Sequence, residues 1–169
     1  MRTILLTVFA IVLSNATHLA QEKSPSDLAF DRLKRLAGTW EAFDKRASRK
    51  LNAVYTVTGG GNVIMEDLEG MATAYHLDNG TIKLTHYCGA GNQPRMRVKS
   101  IENGGRRIVF EMFDITNLKS PDAYRSTSLD VQFLDDGTVE LTYGGLSAGN
   151  GSSSQTVQLQ RRTSTSTRR

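Results

Sequence analysis

From Thr39 onward the chain alternates between apolar and polar residues at every second position. Ile108, Phe110 and Met112 share one side of their segment, as do Leu129, Val131 and Phe133, Val139, Leu141 and Tyr143, and Val157 with Leu159. The opposite sides carry Glu111, Asp130, Gln132, Glu140, Gln158 and Gln160. A period of two with one apolar face is the signature of half-buried strands. The pattern predicts strands at Thr39–Arg46, Lys50–Thr58, Val63–Glu69, Met71–Leu77, Thr81–Cys88, Arg95–Ile101, Arg106–Asp114, Ala123–Leu134, Thr138–Tyr143 and Ser154–Arg162. Between them stand residues that tolerate positive φ: Gly59-Gly60-Gly61-Asn62, Asp78-Asn79-Gly80, Asn103-Gly104-Gly105 and Asp136-Gly137. About ten short antiparallel strands, each with one apolar face, fit a single sheet closed around one interior. The fold class expected is all-β, an up-and-down barrel of about ten strands.

One segment breaks the period. Ser24-Pro25-Ser26-Asp27 combines a cap, a proline suited to the first turn and an acid that closes a capping box. Phe30, Leu33, Leu36 and Ala37 follow at helical spacing, with acids early, Arg32, Lys34 and Arg35 late, and Gly38 as a stop. A short amphipathic helix therefore precedes the first strand.

The first residues carry a different message. Arg2 precedes the apolar run Ile4–Leu13, and small residues follow. This layout is that of a secretory signal peptide, residues 1–20, with cleavage after Ala16 or Ala20. The run is shorter than the roughly 20 apolar residues that span a bilayer, so no stable membrane anchor is expected after signal removal. Residues 24–162 form one barrel domain on this reading, and 163–169, TSTSTRR, form a disordered tail without an apolar residue. The expected location is exported, periplasmic or secreted.

Cys88 is the only cysteine, so no internal disulfide can form and the barrel must rely on its core. The net charge is +4, but Arg161, Arg162, Arg168 and Arg169 crowd the C-terminus and leave the body near neutral. A nucleic-acid partner needs a basic face on the folded domain, so none is expected.

The segment Phe30–Ala42, FDRLKRLAGTWEA, runs a short helix into Gly-x-Trp on a first strand. It resembles the start of the lipocalin-like, or calycin, barrels. The resemblance implies that Trp40 closes one barrel end and that an arginine of the last strand stacks on it. Arg161 has the matching parity in Val157-x-Leu159-x-Arg161, and a guanidinium over an indole gains about 0.5–2 kcal/mol. The strand number is closer to the ten-stranded fatty-acid-binding and nitrobindin-like barrels. The stretch Thr85–Met96, THYCGAGNQPRM, is similar to a segment of exported bacterial proteins, which implies a fold and a compartment but no activity.

Parity also nominates a site. Ile82 and Leu84 face inward, so His86 and Cys88 should follow them. Extending the same count to the other strands places Tyr75, His86, Ser100, Asp114, Arg125, Thr127 and Tyr143 on otherwise apolar faces. A buried arginine needs a partner, either Asp114 or the acidic head of a ligand. The fatty-acid-binding barrels hold a carboxylate with an inward arginine and tyrosine, and Arg125 with Tyr143 is similar in type. The expected partner is a small hydrophobic or amphipathic molecule, mostly apolar and able to carry an acidic group.

Other chemistries have less behind them. A phosphate loop at Gly89-Ala90-Gly91 lacks a following helix. His86-x-Cys88 offers two zinc ligands where a structural site uses four. A Cys88 nucleophile would sit roughly 7 Å along the strand from His86. A haem site at His86 is not supported residue by residue, because nitrobindin-like barrels place that histidine later in the chain. No catalytic, metal or cofactor residue is assigned. The alternatives to ligand binding are an enzyme using His86 as acid or base in the barrel mouth, and a structural or interaction protein with a filled core.

Overall fold

The computed structural model describes residues 22–134, 137–149 and 151–162. Both the expected signal peptide and the expected tail fall outside these residues. Helix α1, Pro25–Lys34, opens the chain. Ten strands follow: β1 Gly38–Asp44, β2 Arg49–Thr58, β3 Val63–Leu68, β4 Met71–Asp78, β5 Thr81–Tyr87, β6 Gln93–Glu102, β7 Arg107–Thr116, β8 Arg125–Phe133, β9 Thr138–Ser147 and β10 Gly151–Arg161. Each pairs antiparallel with its neighbour in sequence, and β1 pairs with β10, so the sheet closes as a ten-stranded barrel. Closure removes the unpaired edges an open sheet would present.

The helix forms for the reasons the sequence suggested. Ser24 Oγ accepts from the Asp27 amide at 3.1 Å while the Asp27 carboxylate accepts from the Ser24 amide at 3.0 Å, a reciprocal capping box. Its apolar stripe, Ala29, Phe30 and Leu33, lies buried across one barrel end. Gly105, in the turn between β6 and β7, lets the helix approach closely; a Cβ there would stand 3.5 Å from the Ala29 backbone.

Trp40 and Arg161 stand opposite each other in the β1–β10 ladder at this same end. Trp40 is buried, and its indole N–H donates to the Leu36 carbonyl at 2.6 Å. The Arg161 guanidinium lies 4.4 Å from the indole centroid and donates to the Ala37 and Arg35 carbonyls at 3.1 and 2.6 Å. The carbonyls of Arg35, Leu36 and Ala37, in the turn that follows the helix, are satisfied in this way. Gly38 makes the packing possible: its φ is +123°, and a Cβ would come within 3.1 Å of Arg161 Nη1.

Above this closed end the lumen is packed solid with Ile64, Ile82, Leu84, Met96, Ile108, Phe110, Leu129 and Leu141. The outer face pairs its charges instead. Arg107 donates to Asp130 and Glu102, and Arg97 to Glu111. An apolar interior behind a charged exterior is the reverse of a barrel that spans lipid.

Three register shifts interrupt the ladders. Phe113 is extra between Met112 and Asp114 on β7, Lys99 between Val98 and Ser100 on β6, and Thr127 between Ser126 and Ser128 on β8. Each bulge inserts one residue and so reverses the faces beyond it.

Candidate functional site

Glu66, in the middle of β3, points into the lumen and is 1% exposed. Four hydroxyls converge on it. Its Oε2 accepts from Tyr55 and Tyr75, both at 2.8 Å. Its Oε1 accepts from Tyr143 at 3.1 Å and Thr73 at 3.2 Å. The donors come from β2, β4 and β9, so the carboxylate ties together distant strands of the barrel. Four acceptor directions meet four donors, and the group is fully satisfied.

Burial raises the Glu66 carboxyl above the ordinary range, and the hydroxyls of Tyr75, Tyr55, Tyr143 and Thr73 pull it back down. The three tyrosines are pushed well above their usual value, first by burial and then by the Glu66 charge. They remain protonated and act as donors.

His86, on β5, extends this cluster. Thr73 and His86 face each other across the β4–β5 ladder, and Thr73 Oγ1 lies 3.0 Å from His86 Nδ1. Burial lowers the imidazole's proton affinity, so the ring is neutral at physiological pH. Its Nε2 has no hydrogen-bond partner among the described residues.

His86 also borders an open space. A cavity of about 380 Å³ occupies the barrel end opposite α1. His86 and Tyr143 line it. Leu51, Leu68, Met71 and Val157 make its apolar sides, and Ser126, Ser153 and Gln155 add polar atoms. Arg46 and Arg49, from the β1–β2 turn and the start of β2, stand at the rim with Glu69 and Tyr124. Arg49 shares Glu69 at 3.9 Å, while the Arg46 guanidinium has no ion pair among the described residues. Asp44, also near this rim, is already engaged by the amides of Arg46 and Ala47 and by Gln155 Nε2.

The stretch Thr85–Met96 builds part of this mouth. It ends β5 at Tyr87, turns through Cys88–Asn92 with a Gly91 amide to Cys88 carbonyl bond of 2.9 Å, and begins β6. Asn92 Nδ2 donates to the Tyr124 carbonyl at 2.7 Å, which links this loop to the one before β8. Tyr124 then lies across Gly145, where a Cβ would fall 2.6 Å from its ring. Cys88 is a free, half-buried thiol on the cavity wall. Among the described residues no group of three or more His, Cys, Asp or Glu side chains could hold a metal ion.

Tyr75, His86 and Tyr143 thus meet inside the lumen. The other four nominated residues do not join them, and the bulges explain why. Beyond the Lys99 insertion Ser100 faces outward and donates to Glu102 at 2.8 Å. Beyond the Phe113 insertion Asp114 pairs with Arg95 on the outer face. Ser126 is the inward residue of its segment, so Arg125 turns away and donates to the Pro121 and Ala123 carbonyls at 2.8 and 3.3 Å. Thr127 is itself the inserted residue, and its hydroxyl lies beside Gly144 on the outer side. Arg125 therefore pairs neither with Asp114 nor with any group in the lumen.

Glu66, Tyr55, Arg46 and Arg49 were not nominated from the sequence. The parity of Leu51-x-Ala53-x-Tyr55 could have found Tyr55; on β3 each face carries two apolar residues and one acid, so parity alone does not single out Glu66.

No family model matches the chain, and no curated protein matches it. Among solved structures it is similar to a redesigned beta barrel, at 11% identity and a TM-score of 0.33, over 80% of this chain and 96% of that one.

Proposed function

We propose that this barrel binds a small, mostly apolar molecule in the open half of its lumen, with an acidic group of that molecule at the Arg46 and Arg49 rim. The observation that carries this reading is the division of the interior. One half is packed solid; the other holds a cavity of about 380 Å³ with apolar sides and a few convergent polar groups. That size and composition are typical of small-molecule sites. A chain whose barrel served only as a filled scaffold would have no use for the space. The run Ile4–Leu13 behind Arg2 supports export as the setting.

Calorimetric titration with 2-naphthoate, an apolar body bearing one carboxylate, tests the reading. Binding should be one to one. Ser126→Trp, which fills the cavity from a buried position, should abolish it while the thermal midpoint stays near the parent's. Arg46→Ala should weaken it about three- to tenfold, as loss of one charge-assisted contact does. No heat of binding, or equal binding by Ser126→Trp, would refute the proposal.

A second reading has one observation in its favour. The chain of hydrogen bonds Glu66–Thr73–His86 ends on a cavity-facing imidazole, an arrangement suited to proton transfer. As an enzyme the protein would deprotonate a bound carbon or oxygen acid at His86 Nε2. Base-catalysed ring opening of 5-nitrobenzisoxazole, lost in His86→Gln, would support it; equal rates in parent and variant would not.

A further inference from the structure

The hydrogen-bond directions around Glu66 determine what His86 offers to the cavity. The Glu66 carboxylate accepts from four hydroxyls, Thr73 among them. Thr73 has a single hydroxyl hydrogen, and Glu66 takes it. Toward His86 Nδ1 at 3.0 Å, Thr73 Oγ1 can then only accept. With the Glu66 carboxylate ionised, that assignment puts the ring proton on Nδ1. A neutral imidazole carries one proton, so Nε2 is a bare acceptor. Tyr143 is committed in the same sense: its hydroxyl hydrogen goes to Glu66 at 3.1 Å, leaving its oxygen lone pairs. Both residues line the cavity, and their rings lie 6.1 Å apart. His86 and Tyr143 thus present acceptors and no donor, while the Ser126 and Ser153 hydroxyls elsewhere on the lining can take either role.

We infer that the cavity selects molecules whose inner end is a hydrogen-bond donor, a hydroxyl or an N–H, over isosteres that lack one, with Glu66 and Thr73 acting as positioning residues that hold His86 in the Nδ1–H tautomer. This inference rests on the ligand-binding reading above and names the chemistry of the ligand's buried end. A ligand presenting a carbonyl, ether or carboxylate there would set lone pair against lone pair, and would lose the water that otherwise satisfies Nε2. A donor recovers that bond in a half-dry site, where a missing partner is most costly. With cations at the rim and acceptors at the wall, the fitting class is a small acid whose apolar body ends in a hydroxyl or N–H distal to its acidic group.

Two measurements on the full chain test this. Long-range proton–nitrogen correlation spectra of the ¹⁵N-histidine protein, assigned with His86→Gln, read the tautomer without any ligand. The parent should show Nδ1 protonated and Nε2 bare. Thr73→Val keeps the side chain's shape but removes the acceptor, and should let the proton move to Nε2. Calorimetry then compares 6-hydroxy-2-naphthoate with 6-fluoro-2-naphthoate, which differ by one donor. The hydroxyl should bind at least about tenfold tighter in the parent, the scale of one buried hydrogen bond. The preference should fall to about threefold or less in Thr73→Val. An Nε2–H tautomer in the parent, or equal affinities for the two probes, would overturn the inference. If 2-naphthoate binds but the hydroxyl adds nothing, only this inference falls. If neither it nor its derivatives bind, the ligand-binding reading falls as well.

Discussion

Replacing Glu66 with alanine removes the one acceptor that three buried tyrosines share. Tyr55 and Tyr75 are each 2% exposed and Tyr143 is 8% exposed, so their hydroxyls cannot simply turn to bulk water. Each buried donor left without a partner costs about 1–3 kcal/mol. Thr73 is spared, because its hydroxyl can donate to His86 Nδ1 once the ring proton moves to Nε2. Three orphaned hydroxyls therefore cost about 3–9 kcal/mol. Two effects offset part of this: the buried carboxylate's own desolvation disappears, and water can enter the space vacated. A net loss of about 3–5 kcal/mol is expected, a large share of a domain's usual 5–15 kcal/mol. Glu66→Gln keeps the volume and one acceptor oxygen, and should cost about 1–2 kcal/mol. Urea unfolding followed by far-ultraviolet circular dichroism measures both. With a slope of about 2 kcal/mol per molar, the alanine midpoint should fall by about 1.5–2.5 M and the glutamine midpoint by less than about 1 M. The pair also carries a pH signature. A carboxyl raised in the folded state contributes stability that is fully present below its unfolded value and lost as pH rises through its folded one. Glu66→Gln should remove that decline. A loss below about 1 kcal/mol for Glu66→Ala would refute the idea that the tyrosines depend on this carboxylate.

Other residues yield sharper, smaller tests. Trp40→Ala should cost about 3–5 kcal/mol in the same unfolding assay, since it empties a buried indole site under Arg161; an unchanged midpoint would contradict that packing. Asp44 is held below the usual carboxylate range, chiefly by the Ala47 amide, so its contribution is present above its unfolded value and lost as pH falls through its folded one. Asp44→Asn should therefore flatten the acid limb of the stability–pH curve, and an unaltered limb would exclude Asp44 as its source. Arg125→Ala should leave 2-naphthoate affinity unchanged, because its guanidinium holds loop carbonyls outside the lumen; a large loss of affinity would return Arg125 to the site.

The strands were legible because most of them have one apolar side. All ten appear where the alternation placed them, with ends that differ by a few residues; β9 runs on to Ser147, through the glycine pair Gly144-Gly145. The helix was legible from its cap. The site was legible only where counting by twos holds without interruption, as from Ile82 to His86 and from Val139 to Tyr143. It failed at Ser100, Asp114, Arg125 and Thr127 because a bulge adds one residue without changing local composition. Glu66 was missed for another reason. Val63 and Met65 make the outer face of β3 as apolar as the inner one, so alternation there does not say which side is in. Arg46 lies in a turn, outside any strand parity, and its place at the rim depends on how the barrel closes.

Methyl-resolved NMR of the full chain titrated with 2-naphthoate reads out whether the open half of the lumen takes a ligand. Saturable shifts are expected at Leu51, Leu68, Met71 and Val157, which line that half. Leu33, Leu36 and Leu159, packed at the closed end, should stay put. Shifts confined to outer-face methyls such as Val54, or no shifts at saturating probe, would contradict binding in the lumen.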